Sequence, residues 1–227
     1  MRAVLVHGFS QSSSSWDPVV ARPPSDVDTT ALDVAEGLDF DTTAATIGAR
    51  GGHATYVGYS MGGRLCLSLA LDRPDLIERL VLVSASPGIA DAGAREARRT
   101  QDEHLAQEIE REGVGPFIER WITQPLFASL PRELAGVDER KRSSPSRLTH
   151  QLRVLGQGTQ PSLWERLGQL SMPVTLVTGA YDKTYTDIAN RMAARIGAHA
   201  NIVTIAGAGH AVHLEQPAEV AHVIASA

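Results

Sequence analysis

Six short apolar runs, each closed by turn residues, recur along the chain at positions 3–6, 30–32, 54–57, 80–84, 174–178 and 202–205. Each has the length and the β-branched content of a buried strand. Helical periodicity fills most of the intervals between them, notably over 62–71, 187–196 and 218–225. Strands that alternate with helices predict an α/β fold, a mostly parallel sheet with helices on both faces.

The alternation breaks once. About ninety residues separate the run ending near Ser84 from the one starting at Val174, far more than a crossover needs. The interval reads as helical: 93–112 is rich in Ala, Arg, Glu and Gln, and shorter helical stretches surround 118–121, 147–155 and 163–167. Pro87, Pro116, Pro125, Pro131, Pro145 and Pro161 divide it into short pieces. The expected organisation is a core of residues 1–86 and 171–227 with a helical cap at 87–170. A cap over the carboxyl edge of a parallel sheet would cover whatever site lies there.

Composition narrows the function. A chain of 227 residues with 43% hydrophobic and 21% charged residues can bury a core without metal or disulfide support. The net charge of -5 speaks against a nucleic-acid partner, which needs a concentrated positive face. The single cysteine, Cys66, has no partner for an intrachain disulfide and reads as a small buried hydrophobe. The first apolar run stops at His7-Gly8, too short for a secretory signal, and no stretch approaches the roughly 20 apolar residues of a membrane span. The expectation is a cytoplasmic protein without a membrane partner, its oligomeric state open.

The strongest local signal is Gly58-Tyr59-Ser60-Met61-Gly62. A strand pattern precedes it and a helix pattern follows, the strand-turn-helix setting of a nucleophile elbow. Its glycines permit a strained turn that lifts the serine hydroxyl out of the sheet, and the new helix aims free N–H groups at the same place. A serine N-capping a helix after a tight turn is the plainer alternative. A serine hydroxyl reacts only when a histidine takes its proton and a carboxylate orients that histidine. Downstream, the run 174–178 leads into Gly179-Ala180-Tyr181-Asp182, and the run 202–205 leads into Ala206-Gly207-Ala208-Gly209-His210. Asp182 and His210 therefore arrive at the same sheet edge as Ser60. Asp187 is the rival acid and His213, three residues past His210, the rival base.

His7-Gly8-Phe9 follows the first strand directly, so its loop can offer the Phe9 N–H opposite the Met61 N–H as a pair of oxyanion donors. Arg64 lies four residues after Ser60 in the first helical turn and should project near the nucleophile. A cation there opposes the helix dipole, so removing it is expected to leave stability level or slightly higher. A fork for a substrate carboxylate is the functional reading; a solvated arginine is the other.

With these motifs in place, the chain resembles the 2-succinyl-6-hydroxy-2,4-cyclohexadiene-1-carboxylate synthases of menaquinone biosynthesis, within the α/β-hydrolase fold. The resemblance rests on His7-Gly8-Phe9-Ser10, Val57-Gly58-Tyr59-Ser60-Met61-Gly62-Gly63-Arg64 and Ser84-Ala85-Ser86-Pro87-Gly88-Ile89. In the cap it rests on 95–102, Trp121-Ile122-Thr123-Gln124-Pro125-Leu126-Phe127 and Gln160-Pro161-Ser162-Leu163-Trp164-Glu165-Arg166-Leu167, and near the end on Ala208-Gly209-His210-Ala211-Val212-His213. The cap segments are the specific part, because the elbow and the histidine loop are shared by the whole superfamily.

The resemblance implies a lyase that eliminates pyruvate from 2-succinyl-5-enolpyruvyl-6-hydroxy-3-cyclohexene-1-carboxylate without metal or organic cofactor. It implies that Arg64, Arg98 and Arg142 bind the carboxylates of this small polycarboxylate, and that Tyr59 and Trp121 line its pocket. From the residues alone, Arg98 and Arg99 also fit a solvated helix face, Arg142 fits the charge run 138–142, and Trp121 and Phe127 fit plain core. Two departures stand out: Ile122 replaces a frequent tyrosine, and 32–40 replaces a Pro-Gly-His-Gly loop, in a short stretch between Trp16 and Ala54. The competing activity is a carboxylic-ester or carbon–carbon hydrolase that works through an acyl-enzyme. A non-catalytic module on the same fold would be expected to lack a triad member, and none is missing.

Overall fold

Strand β1 (Arg2–Val6) pairs with β2 (Asp28–Leu32) on one side and with β3 (Ala54–Tyr59) on the other. Beyond β3 lie β4 (Ile77–Val83), β5 (Val174–Gly179) and β6 (Ala200–Ile205), giving the order β2-β1-β3-β4-β5-β6 with every pairing parallel. The computed structural model describes residues 1–22 and 27–226; residues 23–26 and 227, which belong to the expected core ranges, lie outside the described residues. Each of the six expected runs falls in one of these strands. Ser84 sits just past β4 and takes a left-handed φ of 46°.

Strand alternation sorts the side chains between two helical layers. On one face Val4, Val6, Tyr56, Leu80, Leu82 and Leu176 pack against α2 (Phe40–Gly51), α3 (Met61–Asp72) and α8 (Lys183–Ile196). On the other, Leu5, Val57, Val81, Val83 and Val177 meet Trp16, α1 (Asp17–Val20), α9 (Val212–Glu215) and α10 (Pro217–Ser226). Helix α2 carries a weak periodic signal, because its apolar contacts come from Phe40, Ala44 and Ile47 amid threonines and alanines. Its start is fixed by Asp39, whose Oδ1 accepts the Thr42 N–H at 2.7 Å. Cys66 is buried on α3, and burial pushes its thiol pKa up.

Between β4 and β5 the described chain is helical. It comprises α4 (Ala92–Glu112), α5 (Val114–Trp121), α6 (Val137–Lys141) and α7 (Pro145–Arg153), with short 3-10 turns, one of them at Trp164–Gln169. Ala106, Ile109, Phe117, Ile118, Leu148 and Leu152 give this insert a small core of its own. Its ends are stitched to each other: the Leu163 N–H donates to Pro87 O at 2.8 Å, and the Trp164 indole N–H donates to Gly88 O at 2.9 Å. Phe9, on the loop after β1, packs against both the sheet core and the insert core. Among the described residues no helix is long and apolar enough to cross a membrane.

Candidate active site

Ser60 caps α3 with φ 50° and ψ -107°, a conformation that a serine holds only under constraint. Close backbone approach explains its glycines. A Cβ at Gly58 would lie 2.5 Å from the Gly63 backbone, and one at Gly62 would lie 2.3 Å from Val6 O. The Ser60 N–H is anchored to Val83 O at 2.9 Å, so the hydroxyl projects from the carboxyl edge of the sheet.

His210 Nε2 lies 3.4 Å from Ser60 Oγ, and its Nδ1 lies 2.7 Å from Asp182 Oδ2. The first distance is long for a hydrogen bond, and the second is that of a charge-assisted one. Asp182 is buried at the N-terminus of α8, where its Oδ1 also accepts the Tyr185 N–H at 3.1 Å. The carboxylate thus has one oxygen for the helix and one for the histidine, which fixes the imidazole with Nδ1 protonated. His210 packs against Tyr185 at 4.4 Å and Phe127 at 6.1 Å between ring centroids. The rival residues sit elsewhere: Asp187 is exposed in the second turn of α8, and His213 is buried between Trp16 and Tyr59.

A cavity of about 250 Å³ opens on this chain of groups, lined by Phe9, Ser60, Met61, Arg64, Arg98 and Trp121, together with Gln157, Tyr185 and His210. Neither the Phe9 nor the Met61 N–H has an acceptor among the described residues, and both belong to cavity-lining residues. A larger open groove of about 520 Å³ runs past Ser12, Ser14 and Glu133 and contains none of Ser60, Asp182 and His210.

Arg64 is 5% exposed and turned toward the insert, where Nη1 donates to Gln160 Oε1 and Nη2 to Leu155 O, each at 2.7 Å. Burial draws its pKa down to about 10, so it stays charged at neutral pH. Arg98 comes down from α4, held by Asp102 Oδ1 at 2.8 Å and Gln157 Oε1 at 3.3 Å. Trp121 edges onto Phe9 at 4.9 Å, and its indole N–H is buried without an acceptor among the described residues.

Two expected pocket residues do not reach the cavity. Arg142 ends α6 with its side chain 74% exposed, paired with Glu139 at 2.6 Å, because its helical position faces solvent while Arg140 faces inward. Tyr59 falls on the opposite face of β3, where alternation groups it with Val57. Its ring packs at a tilt against His213 with centroids 4.1 Å apart, approaches His210 at 5.5 Å, and forms the floor under Gly8. Ile122 packs at the edge of the insert core, not in the cavity lining.

Several polar residues of the site were not singled out from the sequence. Tyr185 stands three residues after Asp182, the helical spacing that would have flagged it. Gln151, Gln157 and Asp102 come from the insert, and no periodic signal separates them from a solvated surface. The segment 33–39 closes over His7, whose Nδ1 donates to Gly8 O at 2.8 Å while Nε2 accepts the Val34 N–H at 3.1 Å. Burial pulls the His7 pKa down to about 4, so the ring is neutral and shapes the loop. Among the described residues no three His, Cys, Asp or Glu side chains are grouped to hold a metal ion.

Comparison with known proteins gives a consistent set of likenesses. The profile of the alpha/beta hydrolase family matches residues 3–223. The 2-succinyl-6-hydroxy-2,4-cyclohexadiene-1-carboxylate synthase of Enterobacter sp. is 30% identical over 239 residues, 98% of this chain and 89% of its own length. A Bacillus subtilis protein provisionally given the same name is 38% identical over 166 residues, 71% of this chain and 60% of that protein. The solved structure of MenH from S. aureus superposes with a TM-score of 0.92 at 28% identity, over 100% of this chain and 92% of that one.

Proposed function

Because the chain belongs to the alpha/beta hydrolase family and, within it, to the 2-succinyl-6-hydroxy-2,4-cyclohexadiene-1-carboxylate synthases, we propose that Ser60, His210 and Asp182 carry out its elimination of pyruvate. The substrate is 2-succinyl-5-enolpyruvyl-6-hydroxy-3-cyclohexene-1-carboxylate, a small polycarboxylate, and the setting is the cytoplasm.

The chemistry follows from the hydrogen-bond chain. Ser60 Oγ removes the ring proton beside the succinyl ketone as its own proton passes to His210 Nε2, while Asp182 stabilises the imidazolium. The ketone oxygen becomes an enolate between the Phe9 and Met61 N–H groups, which are fixed before the charge develops. The electron pair moves through the ring alkene and breaks the carbon–oxygen bond to enolpyruvate. His210 returns the proton to the departing group, which leaves as pyruvate, and the new double bond stays in the ring.

The observation that carries this reading is the presence of two guanidinium groups, Arg64 and Arg98, in one cavity with Ser60. Each has protein partners, yet Arg64 Nε and Arg98 Nη2 keep N–H groups without an acceptor among the described residues. A polycarboxylate uses such donors; a neutral ester does not. The test is parallel turnover of the enolpyruvyl substrate and of a neutral phenyl acetate. Fast pyruvate release with slow ester hydrolysis is expected. Fast ester hydrolysis without pyruvate would make the protein an acyl-enzyme hydrolase.

A further inference from the structure

The turn that carries Phe9 is held from two directions. On the core side, Gln11 Oε1 accepts the Gly8 N–H at 3.0 Å, and His7 Nδ1 donates to Gly8 O. On the insert side, Gln151 Oε1 of α7 accepts the Ser10 N–H at 3.1 Å, and Arg147 Nη2 donates to Gln11 O at 3.1 Å. Arg140 of α6 donates from Nη1 to Ser10 Oγ at 2.6 Å and to Phe9 O at 3.4 Å. Ser10 itself has φ 61°, a left-handed conformation that a non-glycine residue keeps only when its surroundings impose it.

Arg140 is unusual in its own right. It is 4% exposed, and among the described residues no carboxylate pairs with it; its remaining contact is Nε to Ala135 O at 2.7 Å. A buried cation without a counter-ion is unfavourable, and a purely structural tie at this place could be made by an apolar side chain. Its Nη1 contacts both fall on the stretch of chain whose path decides where the Phe9 N–H points, while Nε anchors the guanidinium to the insert. The Met61 N–H needs no such help, since it is the first amide of α3 and adjacent to Ser60.

We propose that Arg140 is a positioning residue for the oxyanion hole: by clamping the Ser10 turn from the insert, it sets the Phe9 N–H opposite the Met61 N–H. The donor pair is then completed by docking of the insert, not by the sheet core alone. This rests on the Phe9 N–H acting as an oxyanion donor, as in the reading above.

The test uses the full chain and three variants, Arg140→Gln, Arg140→Lys and Ser10→Ala. The measurements are kcat and KM for pyruvate release, kcat and KM for a neutral phenyl acetate, and the rate at which diethyl p-nitrophenyl phosphate labels Ser60. Loss of one oxyanion donor lowers kcat by about a hundred- to a thousandfold. A displaced donor should lose less, so Arg140→Gln is expected to lower kcat on both substrates, and the labelling rate, by about tenfold to a hundredfold. KM should stay within about threefold, Arg140→Lys should recover part of the loss, and Ser10→Ala should fall between them. Wild-type kcat in a folded Arg140→Gln protein, or a raised KM at unchanged kcat, would overturn the proposal. If Arg140→Gln does not fold, wild-type kcat and labelling in both Arg140→Lys and Ser10→Ala would overturn it equally. Absence of pyruvate release by the wild type sinks the lyase reading alone, since ester turnover and labelling still judge Arg140. A wild-type Ser60 inert to both ester and phosphate would overturn the clamp as well.

Discussion

The Arg64 guanidinium reaches from α3 into the insert and donates to Gln160 Oε1 at 2.7 Å, so one cation both lines the cavity and ties the insert to the helix behind the nucleophile. Its two roles separate experimentally. Arg64→Ala should slow pyruvate elimination by about ten- to a hundredfold in kcat/KM, the worth of a charge-assisted contact. Arg64→Lys should recover only part, because lysine lacks the planar fork. Hydrolysis of a neutral phenyl acetate should change little. Stability should fall by about 1–3 kcal/mol in Arg64→Ala, since Leu155 O loses a buried donor. This reverses the expectation drawn from the helix dipole alone, and thermal denaturation checks it. Equal losses on both substrates would make Arg64 a support of the elbow instead.

Arg98 and Arg142 should part company. Arg98 lines the cavity, and its loss also leaves the buried carboxylate of Asp102 without its partner. Arg98→Ala should therefore raise KM and lower stability together. Arg142 is an exposed i,i+3 partner of Glu139, a pair of small value. Arg142→Ala should leave kcat/KM within about twofold and the melting temperature nearly unchanged. A tenfold drop in kcat/KM for Arg142→Ala would put that side chain back at the substrate.

His7 and His213 give the fold a pH dependence of known sign. Burial holds His7 near pKa 4 and His213 well below its ordinary value, whereas both titrate near 6.5 in the unfolded chain. Between about pH 6.5 and pH 4 the unfolded chain takes up protons that the folded one refuses, so stability falls as pH drops through that window. His7 alone accounts for about 3 kcal/mol of the loss. Urea unfolding at a series of pH values should show the decline. In His7→Gln the slope should be shallower by up to about one proton, a difference that isolates the histidine from titrating carboxylates. The same slope in both proteins would show that His7 is not held neutral.

The base is tested by two histidines three residues apart, His210 in the turn after β6 and His213 in α9. His210→Ala should cost several orders of magnitude in kcat, as should Asp182→Asn through the wrong imidazole tautomer, and the two effects should not add. His213→Ala opens a cavity between Trp16 and Tyr59 and should act mainly on stability. Large loss of kcat in a well-folded His213→Ala beside near-normal His210→Ala would exchange their roles.

Much of this fold is legible in the chain because parallel strands buried on both faces leave apolar runs, as β1, β3, β4 and β5 do, while the edge strands β2 and β6 are only partly buried. Ser60, Asp182 and His210 come together because each lies in the turn or loop that leaves the carboxyl end of a strand of this sheet. Residues of the insert are harder to read. Arg140 and Arg142 stand two apart in one charge run, and only the rotation of α6 decides which is buried. The resemblance implies Tyr59 in the pocket, but alternation along β3 turns its ring to the opposite face, beside Val57. Gln151, Gln157 and Asp102 owe their places to packing between helices far apart in sequence, which no local pattern encodes.

The most direct measurement is simultaneous recording of pyruvate and of the ring diene as purified wild-type protein meets the enolpyruvyl substrate, with Ser60→Ala alongside. One pyruvate is expected for each diene formed, with a rate at least about a thousandfold lower in Ser60→Ala. Wild-type-like pyruvate release by a folded Ser60→Ala protein, or diene formation without pyruvate, would contradict it.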